Sequence, residues 1–436
     1  MSPLAAFAIF IFFIALSLVL NISMLFPLGL GMLLFSYLAY RRGNSVRSIL
    51  KMAVDSLHDS FIVIGVLLLI GCLTGLWRLS GTIAYFVSIG VASMPPSLFI
   101  LAAFLINAAI SFAIGTSFGV AATAGVIVMS IAKAGGIPVA PVAGAVLSGI
   151  YVGDRGSPAS SASNLVASLT QTDMRRNIRE MLKTSIVPFI ITCLVYGLIS
   201  FQYPINRTDS GILAQLSEEF ALSWICLVPA ILMIILPFCH VSIKLSMTID
   251  ILVSVIIAIT VQKAGLRDCL QSAVLGYRSG NPELVALLSG GGLVSMLEVC
   301  GILVISGTYG RIFRATGMLD SITEKLLALK EKTNRFIVMI LLSAAVCMIF
   351  CNQTVGSIMI SQLSDGLYGD DEAERTRKML DIENTVIVIA GMVPWCIACS
   401  VPLAMIGGGK SAILFAFYLW LIPLYNLILQ TKTEKP

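Results

Sequence analysis

The chain has 436 residues; 58% of them are hydrophobic and only 12% are charged, whereas about 25% of the residues in a typical soluble domain carry a charge. A soluble protein of this size could not cover so much apolar surface, so the composition excludes a soluble enzyme or binding module. The 28 basic residues are spread among the loops, as membrane topology requires, and the net charge of +5 gives no indication of a nucleic acid partner. We therefore expect an all-α polytopic membrane protein surrounded by lipid.

Apolar runs close to the roughly 20 residues that a membrane-spanning helix needs recur along the whole chain. The clear candidates are 4–20, 22–40, 60–77, 98–114, 184–202, 222–237, 244–261, 293–310, 334–350, 385–404 and 411–430. Three shorter runs, 82–94, 118–132 and 138–152, could be half-spans or re-entrant hairpins. The sequence thus predicts about 11–13 membrane-inserted segments, in the plasma (inner) membrane.

The charges of the loops predict how the chain crosses the membrane, because basic residues concentrate on the cytoplasmic side. Basic clusters follow the second apolar run at 41–51 and recur at 175–183, so both segments are expected in the cytoplasm. The 203–220 loop carries more acidic than basic residues and is expected outside. Both termini then lie in the cytoplasm.

A polar, glycine-rich interruption stands inside the most apolar part of the chain. No Asp, Glu, Lys or Arg occurs between 79 and 132, yet Gly115-Thr116-Ser117-Phe118-Gly119 lies within this stretch. Lipid cannot hydrogen-bond an opened backbone, so such a break requires surrounding protein or a water-filled cavity. In transporters, discontinuous helices of this kind bind substrates and coupling ions, which makes Thr116 and Ser117 candidate ligands. The alternative is a small-residue face that lets two helices pack closely.

A second polar segment, 153–164, follows a 20-residue stretch without charge and opens with Gly153-Asp154-Arg155-Gly156-Ser157-Pro158. The Asp154 carboxylate could bind Na+ or a proton, because hard cations favour oxygen ligands. Further oxygens would come from Ser157, Ser160 and Asn164. The alternative is an Asp at a helix end, paired at the membrane interface with a basic group such as Arg155 or Arg175.

The chain contains an internal repeat at a shift of 236 residues. In the aligned stretch, Gly65, Leu67, Gly71, Arg78 and Gly81 fall on Gly301, Leu303, Gly307, Arg314 and Gly317. Thr116-Ser117 falls on Asn352-Gln353, which is a second polar break in a second apolar helix. The coincident glycines, arginines and breaks predict a duplication, and they add Asn352, Gln353 and Thr354 to the candidate ligands.

Loop charges predict that the two copies are inverted in the membrane. Residues 75–99 contain one basic residue and the equivalent 311–335 contain six, so the first loop is expected outside and the second inside. Inverted repeats are a common plan of secondary transporters, with the site near the midplane at the repeat interface. This plan divides the chain into N-terminal spans with a cytoplasmic loop (1–58), a first transport repeat (59–202), a linker with connecting spans (203–292), and a second, inverted repeat with the C-terminal span (293–436).

Two further acidic residues stand in or beside apolar segments, where an ionisable group is a functional hypothesis by default. Glu298 lies within 293–310 and is a candidate accessory site; the alternative is a neutral Glu that hydrogen-bonds between helices. Glu383 and Asn384 precede 385–404, a helix that could bring them to the site from the second repeat. The alternative for this pair is an interfacial cap.

The sequence contains no GxxxxGK[ST] phosphate loop and no soluble region large enough for a nucleotide-binding domain. Transport would therefore draw on an ion or solute gradient, or be passive. We expect no cofactor, only Na+ or H+ as coupling ions, and a small ion or an organic solute as cargo. A passive channel or a structural membrane protein is the alternative from a different class.

Together these motifs resemble the NhaC family of Na+/H+ antiporters, within the larger ion-transporter superfamily. The likeness rests on Gly115-Thr116-Ser117-Phe118-Gly119, on Gly153-Asp154-Arg155-x-Ser157-Pro158-x-Ser160, on Asn164-Leu165 through Thr172-Asp173, and on Val393-Pro394-Trp395. The resemblance covers nearly the whole chain and implies exchange of Na+ for protons, with transport of malate, lactate or amino acids in some members. It also implies a transport domain with hairpins, an elevator-like movement and often a homodimer.

The chain departs from this family pattern at three positions, each of which replaces a carboxylate by a neutral oxygen donor. Ser161, Asn352 and Asn384 stand where family members usually carry acidic residues. A hydroxyl or an amide keeps the oxygen but loses the charge and the proton uptake. This pattern favours a Na+- or H+-coupled carrier of an organic acid or amino acid as the close alternative to Na+/H+ antiport, and Glu298 could compensate in part.

Overall fold

A computed structural model describes residues 3–20, 22–93, 96–204, 210–239, 241–282, 284–317 and 333–433 of the chain. Within these ranges the protein is built from helices, and the strand-like pairing is a single isolated bridge between Tyr277 and Gly290. The expectation of an all-α protein is therefore confirmed for the described residues.

The helices up to residue 202 contain both polar segments of the first repeat. They are α1 (Pro3–Val19), α2 (Leu25–Arg41), α3 (Val46–Leu79), α4 (Thr82–Ser93), α5 (Phe99–Ile114), α6 (Ser117–Val120), α7 (Val126–Ala134), α8 (Val139–Gly156), α9 (Ser161–Thr170) and α10 (Met174–Gln202). A π-helical segment, Ala121–Gly125, joins α6 to α7, so these three pieces run on as one helix after the break.

The remaining helices include the connecting region and the second repeat. They are α11 (Ser210–Glu219), α12 (Val228–Phe238), α13 (Ile243–Thr260), α14 (Leu266–Leu275), α15 (Val285–Leu288), α16 (Leu297–Thr316), α17 (Arg335–Phe350), α18 (Gln353–Leu363), α19 (Glu372–Ile382), α20 (Val388–Ala390), α21 (Ile397–Ile406) and α22 (Phe417–Thr433). A second π-helical segment, Glu383–Ile387, joins α19 to α20.

Several described helices are long and apolar enough to cross a membrane. Four qualify by length and composition alone, and α3 becomes a fifth if its two arms, which meet at an angle of 47°, are counted as one span. Seven more apolar helices have 10–17 residues, too short for a full span of about 20. A multi-pass membrane protein is therefore confirmed, while the expected total of 11–13 segments remains a prediction.

One expected span is interrupted. The apolar run 385–404 contains α20 and α21, and residues 391–396 between these helices are not helical. Pro394 lies inside this interruption, and its ring fixes φ and removes a backbone donor, which is incompatible with a continuous helix. The prediction of one uninterrupted span over 385–404 is therefore wrong.

The bounds of two pairs of helices agree with the predicted repeat. Helices α5 and α17 differ by 236 residues at both ends, and so do α9 and α21. The residue that ends the earlier helix of each break, Gly115 or Cys351, has a left-handed backbone with φ of 76° or 53°. The next residues, Thr116 and Asn352, have nearly the same extended backbone, with φ of −139° and −141°. Both copies thus use the same local geometry to break a helix.

Helix α8 packs unusually closely on α5, and this contact positions the segment that carries Asp154. A Cβ on Gly153 would lie 2.0 Å from the carbonyl carbon of Ser111, and one on Gly149 would lie 2.7 Å from the carbonyl oxygen of Phe104. The Ser111 hydroxyl donates a hydrogen bond to the carbonyl of Ile150. Small residues allow this approach of two backbones, which is typical of helix interfaces in membranes.

Candidate functional site

The first broken helix ends at Gly115, where the backbone requires glycine. Its φ is +76°, and a Cβ there would lie 2.4 Å from the carbonyl carbon of Ala159. The Thr116 side chain then accepts a hydrogen bond from the amide of Gly119 at 3.4 Å, so Thr116 is the N-cap of the helix that starts at Ser117. A helix N-terminus carries a partial positive charge, and in transporters such termini and the adjacent unwound carbonyls contact the cargo.

The second broken helix repeats this design with a different residue at the turn. Cys351 adopts the left-handed backbone without being glycine, which is uncommon for a residue that is not Asn or Asp. Its carbonyl accepts a hydrogen bond from the amide of Ile397 at 2.9 Å, so the second break is tied to the start of α21. Asn352 is the N-cap of α18, and its Oδ1 accepts from the amide of Val355 at 3.2 Å.

Both breaks face one cavity of about 360 Å³, which we call the central cavity. Its polar lining residues are Thr116, Ser117, Asp154, Ser161, Asn352, Gln353 and Thr354. Pockets of roughly 300–1,000 Å³ are typical of small-molecule sites. Among the described residues that line the cavity, Asp154 is the one with a charged side chain. The structure thus brings together all the predicted ligands of the two breaks and Asp154.

Asp154 joins the two repeats across the central cavity. It lies in the last turn of α8 with only 5% of its surface exposed, and its Oδ2 accepts a hydrogen bond from Nε2 of Gln353 at 3.0 Å. The backbone and hydroxyl of Ser117 lie beside the same carboxylate. Groups from both broken helices therefore converge on one buried carboxylate, which is the arrangement expected of an ion site.

Arg155 is a buried cation next to Asp154 in sequence, but its side chain points into a different environment. It is 1% exposed, and it donates to Oγ1 of Thr184 at 2.8 Å, to the carbonyl of Met181 at 3.2 Å and to Oδ1 of Asn384. Sequence reasoning treated Arg155 only as a possible partner of Asp154. Its burial depends on α10 and on the π-helical segment, which local sequence does not reveal.

Glu383 is a fully buried carboxylate behind the wall of the central cavity. It is 0% exposed, it begins the second π-helical segment, and neither of its oxygens has a hydrogen-bond partner in the described part of the chain. Its charged and polar neighbours are Arg155, Asp154 and Ser163. A buried acid whose oxygens accept no hydrogen bond is unusual. π-helical segments and acids inside a membrane are often functional, so Glu383 is a candidate site residue.

Three predicted ligands build the turn after α8 instead of lining the central cavity. The Ser160 hydroxyl donates to the carbonyl of Asp154 and accepts from the amide of Ser163, as the N-cap of α9. Asn164 donates to the carbonyl of Ser160 at 2.7 Å, and Oγ of Ser157 accepts from the amide of Ala159 at 3.1 Å. These side chains shape the break, and direct binding of an ion by them remains only a prediction.

The structure does not bring Glu298 to the central cavity. This residue lies exposed in the first turn of α16 and accepts a hydrogen bond from the Ser23 hydroxyl. Its predicted accessory role therefore has no structural support. Conversely, sequence reasoning noted Ser161 only as a departure from a family pattern, whereas the structure places it on the cavity wall.

A family model described as the Na+/H+ antiporter family matches residues 149–429, which contain Asp154, the second break and Glu383. The chain belongs to this family. Antiporters are transporters, so the protein is not an enzyme, and the apolar helices fit the membrane location of such a protein. The expected resemblance to the NhaC proteins is also confirmed by the individual relatives.

Three relatives of this antiporter family cover most of the chain. The malate-2H+/Na+-lactate antiporter of Bacillus subtilis is 28% identical over 395 residues, which is 87% of this chain and 84% of the relative. The Na+/H+ antiporter NhaC of Alkalihalophilus pseudofirmus is 26% identical and covers 86% of this chain and 83% of its own length. The arginine/ornithine antiporter ArcD of Halobacterium salinarum is 25% identical, with 78% and 73% covered.

Proposed function

We propose that the protein is a gradient-coupled antiporter of NhaC type that exchanges Na+ for H+, with Asp154 as the residue that binds either ion. The observation that carries this proposal is the position of Asp154. It is the one charged side chain among the described residues of the central cavity, and Gln353 of the other repeat contacts it.

The exchange follows from competition for one carboxylate. A protonated Asp154 is neutral and has no charge for Na+, whereas an ionised Asp154 attracts Na+, which then gathers further oxygens. Thr116, Ser117 and Asn352 offer hydroxyl and amide oxygens on the same wall. Gln353 now donates its amide nitrogen to Asp154, and a rotation of that amide would present its oxygen to the cation instead.

Glu383 and Arg155 are two further buried ionisable groups that belong to this proposed mechanism. Arg155 favours the ionised form of Glu383, whereas a negatively charged Asp154 opposes it, so Glu383 can hold a second proton when Asp154 is ionised. Asn384 fixes the guanidinium from the same π-helical segment. In this proposal the two repeats are inverted, both termini are cytoplasmic, and an elevator-like movement exposes the central cavity to each side in turn.

A carrier of an organic acid or amino acid, coupled to Na+ or H+, is the second candidate. The central cavity of about 360 Å³ is large for a single ion, and Ser161, Asn352 and Asn384 are neutral where the family resemblance implies acids. The names of the malate/lactate and arginine/ornithine relatives are consistent with this candidate.

A transport assay with purified protein in liposomes separates these candidates. Under imposed Na+ and pH gradients, the wild-type protein is expected to move protons against Na+, in a saturable way that excludes a passive channel. Asp154→Asn is expected to abolish the coupled flux while the protein still inserts into the membrane. Asp370→Asn, the same change at an exposed position, is the control. Full coupled exchange by Asp154→Asn would refute the proposal.

A further inference from the structure

A smaller chamber adjoins the central cavity. Its volume is about 100 Å³, and it shares Val63, Asn352 and Ile397 with the central cavity, so the two spaces meet at these residues. Ser306 and Gly310 of α16 line it, and Phe350 closes one wall, since a Cβ on Gly310 would lie 3.1 Å from that ring.

Among the described residues that line the smaller chamber, Arg311 is the one with a charged side chain. The two adjoining spaces thus carry one carboxylate, Asp154, and one guanidinium, Arg311, and the neutral Asn352 lines both. This pair of opposite charges fits a cargo that carries both signs, or a carboxylate that travels with a cation.

The ion pair between Arg311 and Asp55 is loose. Nη1 of Arg311 lies 3.7 Å from Oδ2 of Asp55, longer than the roughly 2.7–2.9 Å of a close charge-assisted hydrogen bond. The two side chains are 30% and 43% exposed, so the described part of the protein encloses neither of them. A guanidinium presents five donors that match a carboxylate in a two-bond arrangement, and a carboxylate on the cargo can therefore compete with Asp55 for Arg311.

Asp55 and Arg311 stand on α3 and α16, which both line the smaller chamber. Asp55 belongs to the first arm of α3, and Val63, which lines both spaces, begins the second arm beyond the 47° bend. The hydroxyl of Ser56 reaches the carbonyl of Val304 on α16 at 3.4 Å. The first arm of α3, through Ser56, and helix α16 thus both line the smaller chamber.

From these contacts we infer that Arg311 is the carboxylate-binding residue of a two-chamber site, and that the cargo is a small carboxylic acid or amino acid. Its carboxylate binds Arg311 in the smaller chamber, while Asp154 binds the coupling cation or the ammonium group. This inference rests on the proposed role of Asp154 as the coupling residue, and it assigns the cargo to the second candidate function.

The test compares Arg311→Gln with wild-type protein in liposomes, with radiolabelled malate, lactate and arginine as probes and with Na+/H+ exchange recorded in parallel. We expect Arg311→Gln to raise the KM for the carboxylate that the wild type carries by roughly tenfold or more. Arg311→Lys should recover part of this loss. Arg176→Gln removes the same charge from an exposed surface ion pair and should leave the KM unchanged.

Asp55→Asn provides a test in the opposite direction, because it removes the competing carboxylate and should lower the KM for the same probe. If the cargo is an organic acid, the KM for malate or lactate changes in these variants. If the cargo is an amino acid, the KM for arginine changes. An unchanged KM in Arg311→Gln overturns the inference. So does a wild-type protein that exchanges Na+ for H+ but neither moves nor is thermally stabilised by any of the three probes.

A failure of the proposed coupling gives a different pattern. If Asp154→Asn retains coupled exchange while Arg311→Gln loses carboxylate affinity, the proposed role of Asp154 fails and the carboxylate site stands. Thermal stabilisation of the purified protein by the probes measures binding independently of transport. Loss of that stabilisation in Arg311→Gln, with normal melting of the protein alone, supports the site even in a variant that moves nothing.

Discussion

Asn352 combines two roles in one side chain, and a single substitution separates them. It caps α18 through Oδ1, and it lies on the wall of both connected spaces. Asp is as good an N-cap as Asn, so Asn352→Asp keeps the helix start and adds a negative charge near Asp154.

We expect Asn352→Asp to lower the Na+ concentration for half-maximal exchange by roughly tenfold, because a second carboxylate stabilises a bound cation by about 1–2 kcal/mol at a partly solvated site. Transport of a carboxylate should weaken in the same variant. The measurement is the Na+ dependence of exchange in liposomes. Asn334→Asp, at the N-cap of α17, is the matched control. Equal Na+ dependence in both variants would contradict the account.

Asp381 lies outside the candidate membrane-spanning helices, and its ionisation should make the stability of the protein depend on pH. It lies in the last turn of the hydrophilic helix α19 and is 0% exposed. Its carboxylate accepts hydrogen bonds from the Tyr368 hydroxyl at 2.7 Å and from Nε2 of Gln430 at 2.6 Å. Burial raises its pKa from 3.8 to about 6, although these hydrogen bonds and the positive charges of Arg335 and Arg377 act in the opposite direction.

Because the pKa of Asp381 is higher in the folded protein, the stability from its bound proton is complete below about pH 4 and is lost as the pH rises through about 6. Asp381→Asn removes the ionisable group and should make the protein more stable at pH 8 by about 1–3 kcal/mol, with little gain at pH 4. The Tm of purified protein between pH 4 and 8 measures this. Equal pH dependence of wild type and variant would refute the assignment.

The residues of the central cavity differ in how far the sequence predicts them. Thr116, Ser117 and Asp154 are polar groups inside long apolar stretches, so their burial in protein follows from the cost of exposing them to lipid. Arg155 could not be placed in the same way, because adjacent residues on a helix point in different directions. Only the packing of α10 and the π-helical segment against α8 buries its guanidinium.

At the scale of elements, the close contact of α5 with α8 decides where Asp154 stands. Gly153→Ala would place a Cβ 2.0 Å from the carbonyl group of Ser111, so the helices must separate. We expect a loss of stability of about 1–3 kcal/mol or more, together with loss of exchange, since the Asp154 carboxylate moves with α8. The Tm and the yield of folded protein measure the first effect.

Gly156→Ala is the control for this prediction on the same helix. The nearest atom to a Cβ there is a ring carbon of Phe112 at 4.0 Å, so the added methyl group makes only an ordinary van der Waals contact. Both variants lose the same backbone freedom in the unfolded chain, and only Gly153→Ala forces a helix contact apart. Similar Tm values for the two variants would show that the α5–α8 contact is not the constraint that positions the site.

The two paired helix breaks could be predicted, whereas the break at 391–396 could not. Gly115-Thr116-Ser117 and Asn352-Gln353 are polar residues in apolar helices, and the repeat relates them. The break at 391–396 has an apolar sequence around Val393-Pro394-Trp395, which is typical of a continuous span. Pro394 and its position 236 residues after Pro158 were the available signals.

At the scale of the whole molecule, the predicted inversion of the two repeats can be tested directly. Single cysteines at Ser97 and Thr333, in a background without the ten native cysteines, should react with an impermeant thiol reagent from opposite sides of the membrane. The positive-inside rule places Ser97 outside and Thr333 in the cytoplasm. Labelling of both cysteines from one side would contradict the inverted arrangement.

Composition and loop charge were sufficient to predict the class of the molecule, because a chain with 58% hydrophobic residues has few other solutions. The identity of the cargo was not predictable in the same way. It depends on which side chains from different repeats meet, and the contact between Asp154 and Gln353 joins residues 199 positions apart. No local pattern encodes such a contact.

The central claim is that Na+ and H+ compete for Asp154, and proton release on Na+ binding tests it most directly. Purified protein in weakly buffered detergent solution near neutral pH is titrated with NaCl, with choline chloride as the ionic-strength control, and released protons are counted with a pH indicator. The account predicts release of about one proton or less per chain from the wild type, and none from Asp154→Asn. Saturable Na+ binding without proton release, or equal release from Asp154→Asn, would contradict it.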